Sequence, residues 1–399
     1  MIVVGMDVGR EQHLFHVINQ EKKALEAGIL PNASWAFKAW FIHIEETFGE
    51  EVVLALETRN GLATPLDQLA EQRGWKVVAI PPDAVKTYRE TVLRVHSKTD
   101  ANDAMVLAYL ALDLAGRRQA GSFPRRKLLR ATRLREHLVR DQTRLKNRLR
   151  KGIASYWPEV TQQDVFYRLD LDYVLLLLEH APDPARIAAL GPAGLLKFFR
   201  KHRSRVSSNT VEKIVALARQ NSVTAEEKAV VLEEVRIYAR RLRELVKDIR
   251  RVETIMDRLA ADDGEVQTLA TVRGVSLTQA STFVAEIQNL ANFQSEAKLA
   301  SYAGFALKRH QSGTTVNTCR PQVRANQHLK RVVFLMADTM RLNNERAKQY
   351  YARKIGEGKT HRQALRALGR HLIRMFYAML KTGRPYAPGG PLKEQVSPS

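Results

Sequence analysis

Cysteine is nearly absent from this chain, since Cys319 is the only one among its 399 residues. A single thiol excludes an intrachain disulfide and any cysteine-rich zinc site. The 11 histidines do not fall into H-x-x-x-H or H-E-x-x-H spacings, so nothing favours a histidine-based metal site. No apolar run reaches the ~18 residues of a transmembrane span, and the N-terminus lacks a signal-peptide pattern. We therefore expect a cytoplasmic protein without a membrane partner.

Acidic residues are too few to balance the basic ones. The chain has 64 Lys and Arg against 42 Asp and Glu, a net charge of +22 and a pI near 10.2. This charge indicates a polyanionic partner, with nucleic acid as the first candidate and an anionic membrane as a weaker one. A nucleic-acid partner would place the protein at the nucleoid. The length allows two or three domains, and 45% hydrophobic residues suffice for folded cores.

The N-terminal part of the chain has the pattern of a mixed α/β layer. Residues 2–8 are rich in β-branched side chains and predict a strand. Further strands are predicted at 13–18, 24–30, 52–56 and 75–80, and helices at 34–47, at about 64–72, after Pro82 and through Asp103. Three strands followed by alternating helices and strands give the order used by ribonuclease-H-like nucleases.

Two acidic residues stand at the ends of predicted strands in this layer. Asp7 lies near the end of the first strand, and Glu57 ends the strand at 52–56. Residues at the carboxyl ends of neighbouring strands converge, so these two side chains can sit side by side. Each acid also has a structural explanation, because Asp7 can belong to a turn with Gly5 and Gly9, and Glu57 can cap the turn at 60–61.

Asp100 and Asp103 are nearly one helical turn apart, so their carboxylates point the same way. Like charges on one face repel, and a divalent metal is the usual remedy. The alternative is that Thr99 is an N-cap with acids in its first turn. Together with the two strand-end acids, the pair gives the carboxylates that two Mg²⁺ or Mn²⁺ ions need to bridge a phosphodiester oxygen. Lys98, beside the pair, can balance charge or touch a phosphate.

From residue 117 the composition becomes one-sidedly basic. Residues 117–151 contain only two acids, Glu136 and Asp141, while leucines keep helical spacing. This predicts a long basic amphipathic helix rather than a disordered tail. Its contacts with a nucleic-acid backbone would position the partner without reading its sequence. The candidate contacts are Arg125, Arg126, Lys127, Arg130, Arg133, Arg140, Arg144 and Arg148.

Trp157-Pro158 breaks this helix, and residues 160–225 predict short helices. Between Val231 and Leu259 the apolar residues alternate in steps of four and three, as in a coiled coil or a long hairpin helix. A self-pairing coil implies an oligomer and, with ~28 residues at ~1.5 Å each, would hold two units ~40 Å apart. The alternative is a core helix within one domain.

The C-terminal region begins near Leu269. Residues 272–284 are typical of the tight turn and second helix of a helix-hairpin-helix, whose backbone N–H groups can bind DNA phosphate. A polar stretch at 311–318 predicts a loop, in which Ser312-Gly313 is typical of a turn, and no motif places a His–Asp partner to activate that serine. Helices at about 328–343 and 361–381 follow, and the Pro/Gly/Ser-rich tail predicts disorder. Basic residues flank the loop: Lys308, Arg309, Arg320 and Arg324.

The ordered combination of these segments resembles the DEDD-type transposases of insertion sequences, the family of bridge-RNA-guided serine recombinases. In the N-terminal half the resemblance rests on Gly-Met-Asp-Val-Gly at 5–9, Ala-Leu-Glu at 55–57 and Lys-Thr-Asp-Ala-Asn-Asp-Ala at 98–104. In the C-terminal half it rests on the Gly274-Val275 hairpin, residues 293–305, Gln-Ser-Gly at 311–313 and the closing helices from Tyr350.

The resemblance implies a RuvC-like, ribonuclease-H-like catalytic domain at 1–116 and a basic helix at 117–158. A helical linker with a coiled coil would span 159–264, a mainly helical transposase domain with a helix-hairpin-helix-like start 265–384, and a disordered tail 385–399. The implied catalytic residues are Asp7, Glu57, Asp100 and Asp103, which would hold Mg²⁺ or Mn²⁺, and Ser312, which would form a phosphoserine–DNA intermediate. Thr314 and Thr315 are the alternative nucleophiles. The fold class is thus α/β plus all-α.

The resemblance also implies the partners. A structured guide RNA, the bridge RNA, would pair with donor and target double-stranded DNA, so that sequence choice belongs to the RNA. The family works as a tetramer with composite active sites, in which the acids of one subunit meet the serine of another. For this chain we expect a homo-oligomer, a dimer or a tetramer.

Three functions compete at this point. An RNA-guided recombinase would leave protein covalently attached to DNA. A RuvC-like junction nuclease would use metal-activated water and release nicked DNA without attached protein. A non-enzymatic nucleic-acid-binding scaffold would keep every activity when Asp7 or Glu57 is replaced, and its binding would fall steeply with salt.

Overall fold

The computed structural model describes residues 1–49, 51–57, 61–80, 82–94, 99–115, 124–162, 164–223, 228–312, 316–321 and 325–386. Several predicted features lie outside these residues: Lys98, Thr314, Thr315, Arg324 and the tail from 387 onward. The chain divides into two compact units, residues 1–124 and 125–399. The finer domain boundaries stay predictions. None of the helices within the described ranges is both long and apolar enough to cross a membrane.

The first unit is a five-stranded mixed sheet with helices on both faces. Its strands are β1 (Ile2–Val8), β2 (Gln12–Ile18), β3 (Ala24–Pro31), β4 (Val52–Leu56) and β5 (Lys76–Ala79). Its helices are α1 (Ser34–Phe48), α2 (Thr64–Gln72), α3 (Pro82–Thr91) and α4 (Asp100–Ala115). The strand order is β3-β2-β1-β4-β5, in which β1, β4 and β5 are parallel and β1–β2 and β2–β3 are antiparallel. The predicted order of strands and helices is confirmed.

Alternation along the central strands divides the core into two layers. Ile2, Val4 and Met6 face the layer that contains Phe37 and Trp40 of α1. The intervening residues of β1 and β4 face α4, as Val3 and Val53 do beside Val106. Because side chains of a strand point alternately to opposite faces, the odd-numbered positions at the ends of both strands belong to the α4 side.

Within the described residues, the second unit consists of helices and one hairpin. Its helices are α5 (Arg126–Tyr156), α6 (Pro158–Gln162), α7 (Asp172–His180), α8 (Pro184–Lys201), α9 (Ser208–Gln220), α10 (Lys228–Ala261), α11 (Gly264–Ala270), α12 (Leu277–Ile287), α13 (Glu296–Tyr302), α14 (Gln327–Asn343), α15 (Glu345–Gly356) and α16 (His361–Thr382). Its strands are β6 (Leu307–Ser312) and β7 (Val316–Pro321), which pair antiparallel. One core lies among α5 to α10 and another among α11 to α16.

The two longest helices, α5 and α10, run antiparallel along each other. Gly152 faces Val235 at one end, where a Cβ on the glycine would lie 3.1 Å from the valine Cγ2. Arg135 binds Glu253 at 2.7 Å farther along. The apolar stripe of α10 is buried between these points within the chain. Of the two predicted alternatives, packing within one unit is therefore observed, and a coiled coil between subunits is not confirmed.

Residues 311–312 and 316–318 of the polar stretch lie in the paired strands β6 and β7, so the prediction of a loop is wrong for them, while 313–315 lie outside the described residues. Leu307 pairs with Pro321 and Ser312 with Val316. Neither strand alternates apolar and polar residues in the way that marks a half-buried strand. The pairing of two polar strands therefore leaves no periodic signal in the sequence.

Candidate functional site

The register of the sheet brings two of the predicted acids to one edge. β1 pairs with β4 from Ile2 opposite Val52 to Met6 opposite Leu56. One residue beyond this last pair stand Asp7 and Glu57. Both occupy odd-numbered positions, so both belong to the face of the sheet that α4 covers.

Helix α4 supplies the other two acids from its first turn. Thr99 precedes the helix, its hydroxyl oxygen accepts from the Asn102 backbone N–H at 3.2 Å, and its carbonyl accepts from the Asp103 N–H at 2.9 Å. The N-cap interpretation of Thr99 is thus correct. It does not exclude the other interpretation, because the capped turn is the one that presents Asp100 and Asp103 to the sheet edge.

Gly5 allows this helix to lie directly on the sheet. A Cβ on Gly5 would lie 2.1 Å from the Ala104 carbonyl oxygen and 2.4 Å from the Ala108 nitrogen. Both are backbone atoms, which cannot turn aside as a side chain does. The absence of a side chain at Gly5 therefore sets how closely the first turn of α4 approaches the end of β1.

The negative charges of the other three acids affect the pKa of Asp7. Burial raises the pKa of its carboxyl, and the negative charges of Asp100, Asp103 and Glu57 raise it further, to about 6. Each of these interactions requires that the carboxylates lie near one another. The structure thus places Glu57, Asp100 and Asp103 near enough to Asp7 for their charges to act on its carboxyl.

Arg89 is a neighbour of this site that the sequence reasoning missed. Its guanidinium donates to the Asp103 carboxylate, and only 8% and 14% of the two side chains are exposed. Arg89 lies in α3 on the buried face, beside Val85 and Tyr88. A charged residue at the apolar spacing of a helix is the signal that could have found it, because such a residue is seldom buried without a partner.

The acid cluster fits a divalent cation by charge and by donor type. Mg²⁺ and Mn²⁺ prefer carboxylate oxygens, and a cation would relieve the repulsion at Asp7. In the described part of the chain, no three His, Cys, Asp or Glu side chains lie close enough to share one ion. The Asp103 carboxylate is also already bound by the Arg89 guanidinium. The fit therefore rests on charge and chemistry rather than on coordination distances.

Ser312, the predicted nucleophile, is the last residue of β6 and pairs with Val316 across the hairpin. The residues between this pair, 313–315, lie outside the described ranges. Lys308, Arg309 and Arg320 belong to the same two strands. The predicted nucleophile and three of the predicted nucleic-acid contacts therefore share one hairpin.

The structure divides the predicted contacts of the basic helix into two groups. Arg125 binds Asp263 and the Gln288 carbonyl, and Arg133 binds both oxygens of the buried Glu286 at 2.9 and 3.0 Å. These two arginines connect α5 to other helices of the same unit. The rest lie along α5: Arg126 is half-buried, Arg140 and Arg144 pair with Glu136 and Asp141 of their own helix, and Lys127, Arg130 and Arg148 are exposed.

Two segments of the chain match known protein families. Residues 4–158 match the family model DEDD_Tnp_IS110, described as a transposase. Residues 266–352 match the model described as transposase IS116/IS110/IS902 family. Both models are described as transposases. The first segment contains all four clustered acids, and the second segment contains the hairpin with Ser312.

Relatives cover nearly the whole chain at low identity. The insertion element IS110 uncharacterized 43.6 kDa protein of Streptomyces coelicolor is 27% identical, over 96% of this chain and 95% of its own. The insertion element IS116 uncharacterized 44.8 kDa protein of Streptomyces clavuligerus is 28% identical, over 98% of both. A pilin gene-inverting protein of Moraxella bovis is 30% identical over 120 residues, which are 30% of this chain and 37% of its own.

Proposed function

We propose that this protein is the DNA recombinase of an insertion sequence, which cuts and rejoins donor and target DNA under the guidance of a structured RNA. The observation that carries the proposal is the meeting of Asp7, Glu57, Asp100 and Asp103 at one sheet edge. It is supported by the two transposase-family segments and by relatives named as insertion-element and gene-inverting proteins. The net charge of +22 favours binding of polyanions, as expected for a protein that binds both DNA and RNA.

The four acids are proposed to hold Mg²⁺ or Mn²⁺. When bound, such an ion polarises a phosphodiester oxygen and neutralises charge that develops on it. The chain's own contribution is to keep a strongly negative, partly buried cluster in place. β1 and β4 fix two carboxylates, α4 fixes two, and Arg89 orients Asp103.

Ser312 is proposed as the nucleophile. Its hydroxyl oxygen forms a bond to the scissile phosphorus while the bond from phosphorus to a deoxyribose oxygen breaks, and the serine proton ends on that leaving oxygen. One phosphate ester replaces another, so the strand can be rejoined by the reverse reaction without an outside energy source. The acids and Ser312 belong to different units of the chain, and we propose that they act across subunits of a homo-oligomer.

The decisive experiment looks for protein attached to DNA. The full-length protein is incubated with element DNA, target DNA, the element-encoded RNA and Mg²⁺, and protease-sensitive DNA adducts are resolved on a denaturing gel. Adducts are expected for the wild type and should be lost in Asp7→Asn and Ser312→Ala, while the hairpin control Asn317→Ala keeps them. An adduct that survives Ser312→Ala but disappears in Thr314→Ala or Thr315→Ala would move the nucleophile.

Mixing inactive variants tests the shared site. Asp7→Asn supplies intact serines and Ser312→Ala supplies intact acids, so a site composed from two subunits would regain adduct formation in the mixture. A site within one chain would stay inactive. Omitting the RNA tests guidance, since adduct formation should then be lost.

A RuvC-like nuclease that uses water is the second candidate, because the same four acids serve it equally well. It predicts nicked DNA with free ends and no attached protein, and indifference to Ser312→Ala. A binding scaffold predicts neither product, with unchanged DNA affinity in Asp7→Asn.

A further inference from the structure

Three basic side chains gather where the β6–β7 hairpin joins the helices. Gly304 precedes the hairpin and lies against Ala325, which follows it, since a Cβ on Gly304 would be 2.7 Å from the Ala325 Cβ. The same Cβ would be 3.3 Å from Cδ of Lys330. Arg366 of α16 donates from Nη1 to the Gly304 carbonyl at 2.7 Å. Arg362 stands one turn earlier on α16.

Contacts with neighbouring residues hold Arg366 of this cluster in place. The Arg366 guanidinium lies 5.8 Å from the Phe305 ring centre and 5.5 Å from that of Phe334, so two aromatic faces support it. One of its N–H groups is used by the Gly304 carbonyl, and a guanidinium has five. Lys330 and Arg366 are half-buried, and Arg362 is exposed. The remaining donors are thus available on a fixed support.

The cluster lacks a neutralising acid. Residues 297–337 contain seven Lys and Arg but no Asp or Glu, and residues 358–393 contain no acid either. Farther along the same face of α16, Arg370 and Arg374 both bind Glu296. Among the described residues, no acid forms an ion pair with Lys330, Arg362 or Arg366.

The three positive charges act on one another. Burial lowers the pKa of Lys330, and the charges of Arg366 and Arg362 lower it further. Burial and then Arg362 lower the pKa of Arg366 in the same way. Repulsion between fixed cations costs free energy, and a bound anion removes that cost.

We infer that Lys330, Arg362 and Arg366 form a binding site for a backbone phosphate of the DNA that the hairpin engages. Arginine forks match phosphate oxygens in two parallel hydrogen bonds, and lysine adds a point charge. The eight residue-to-residue steps from Gly304 to Ser312 span at most ~26 Å at ~3.3 Å each. With ~3.4 Å of helix axis per nucleotide, the site binds a phosphate within about eight nucleotides of the one that Ser312 attacks. In this respect the inference rests on the proposed function.

Such a site would position DNA rather than react with it. A flanking phosphate held at the base of the hairpin fixes where the DNA strand lies relative to Ser312, because the hairpin and the cluster are joined at Gly304 and Ala325. DNA is favoured over the guide RNA as the ligand, since the hairpin carries the residue proposed to attack DNA.

The test compares two arginines of helix α16. Arg362→Gln removes a charge from the cluster, and Arg374→Gln removes the same charge three turns later, where Glu296 already neutralises it. Binding of the full-length protein to a fluorescein-labelled DNA duplex is measured by anisotropy over a series of salt concentrations. We expect Arg362→Gln to weaken binding several-fold and to reduce the slope of log K against log salt by about 1. Arg374→Gln should leave the slope unchanged.

Two more variants guard against a loss of folding. Lys330→Met keeps the aliphatic stem beside Gly304 and should reduce the slope as Arg362→Gln does. Arg366→Lys keeps the charge but loses the fork, so it should weaken binding with the slope retained. Equal effects of Arg362→Gln and Arg374→Gln would overturn the inference, as would losses confined to labelled guide RNA.

The readout separates this site from the proposed reaction. Binding is measured without the guide RNA and without Mg²⁺, so that no adduct forms. A specific slope change in a protein that never forms adducts would uphold the phosphate site and refute the recombinase. Normal adducts with an unchanged slope in Arg362→Gln would do the reverse.

Discussion

The α-carbon of Gly5 in strand β1 lies against the backbone of Ala104 in helix α4, so closely that an added Cβ would be 2.1 Å from the Ala104 carbonyl oxygen. This contact fixes the distance between the strand that ends in Asp7 and the helix that begins with Asp100 and Asp103. The acid cluster therefore depends on a residue that has no functional group of its own.

Gly5→Ala should damage both the fold and the site. The new methyl group collides with backbone atoms of α4, so the helix must move away from β1 and carry two carboxylates with it. We expect a loss of about 3 kcal/mol or more in the free energy of unfolding, at the upper end of overpacking effects. Tryptophan fluorescence during urea unfolding measures it, because Trp35, Trp40 and Trp75 all lie in the first unit.

Gly264→Ala is the matched control for this substitution. No atom lies within 4 Å of a Cβ built on Gly264, so the change should stay within about 0.5 kcal/mol. A Gly5→Ala protein as stable as the Gly264→Ala protein would contradict the close approach of α4 to β1.

Asp7→Asn should stabilise the metal-free protein. The pKa of Asp7 is raised from its ordinary value of 3.8 to about 6 by burial and by three neighbouring carboxylates. Well below pH 3.8 the carboxyl is protonated in folded and unfolded chains alike. As pH rises toward 6 only the unfolded chain ionises, so the wild type loses stability that the amide keeps. We expect a difference on the order of 1 to 2 kcal/mol above pH 6, after screening by solvent.

Thermal unfolding from about pH 4 to pH 8, in the presence of a chelator, measures this difference. Glu90→Gln removes an equal charge from an exposed acid that lies 3.9 Å from Lys86 and serves as the charge-matched control. Added Mg²⁺ should raise the melting temperature of the wild type but not that of Asp7→Asn. Equal stabilisation of both proteins by Mg²⁺ would argue against a metal at this cluster.

The positions of the acids at strand ends and in a first helical turn are predictable from sequence, because they depend on local patterns. The β-branched runs predict β1 and β4, and parallel neighbours bring Asp7 and Glu57 to one edge. Thr99 with Asp100 and Asp103 predicts a capped turn. The sequence alone does not show which face of the sheet each acid occupies. In the structure, the alternation of side chains along β1 and β4 assigns Asp7 and Glu57 to the face that α4 covers.

Features that depend on partner choice are not predictable in this way. The apolar stripe of α10 shows that this face is buried but not that α5 covers it rather than a second subunit. The strands that carry Ser312 are polar on both faces, so no periodicity distinguishes them from a loop. Arg366 looks like any arginine of an amphipathic helix until Gly304 and Phe305 are placed beside it.

Arg89→Gln should destabilise the protein chiefly when no metal is present. It leaves the largely buried Asp103 carboxylate without its cation, and breaking such a pair typically costs about 3 kcal/mol. Mg²⁺ should restore more stability to Arg89→Gln than it adds to the wild type, because a divalent ion can take the place of the guanidinium. Melting curves with and without Mg²⁺ measure both effects.

The double variant Arg89→Gln/Asp103→Asn provides the control. With both charges removed, the double variant should recover most of the stability that Arg89→Gln loses. The double-mutant cycle should therefore give a coupling energy between Arg89 and Asp103. Additive losses in this cycle would mean that Arg89 stabilises α3 by packing alone and does not orient Asp103.

Replacing Glu286 should lower the stability of the second unit far more than replacing an exposed acid of the same unit. Its side chain is 1% exposed and accepts from Arg133 through both oxygens, and Asn326, which caps α14, donates to it at 2.7 Å. This pairing raises the pKa of Arg133. Glu286→Ala leaves a guanidinium and an amide without their acceptor, so we expect a loss of about 3 to 5 kcal/mol in the free energy of unfolding.

Asp141→Ala is the control, because it breaks the exposed pair with Arg144 and should cost at most about 0.5 kcal/mol. Denaturant unfolding followed by far-UV circular dichroism measures both, and similar losses in the two variants would show that Glu286 does not connect α5, α12 and α14 through this network.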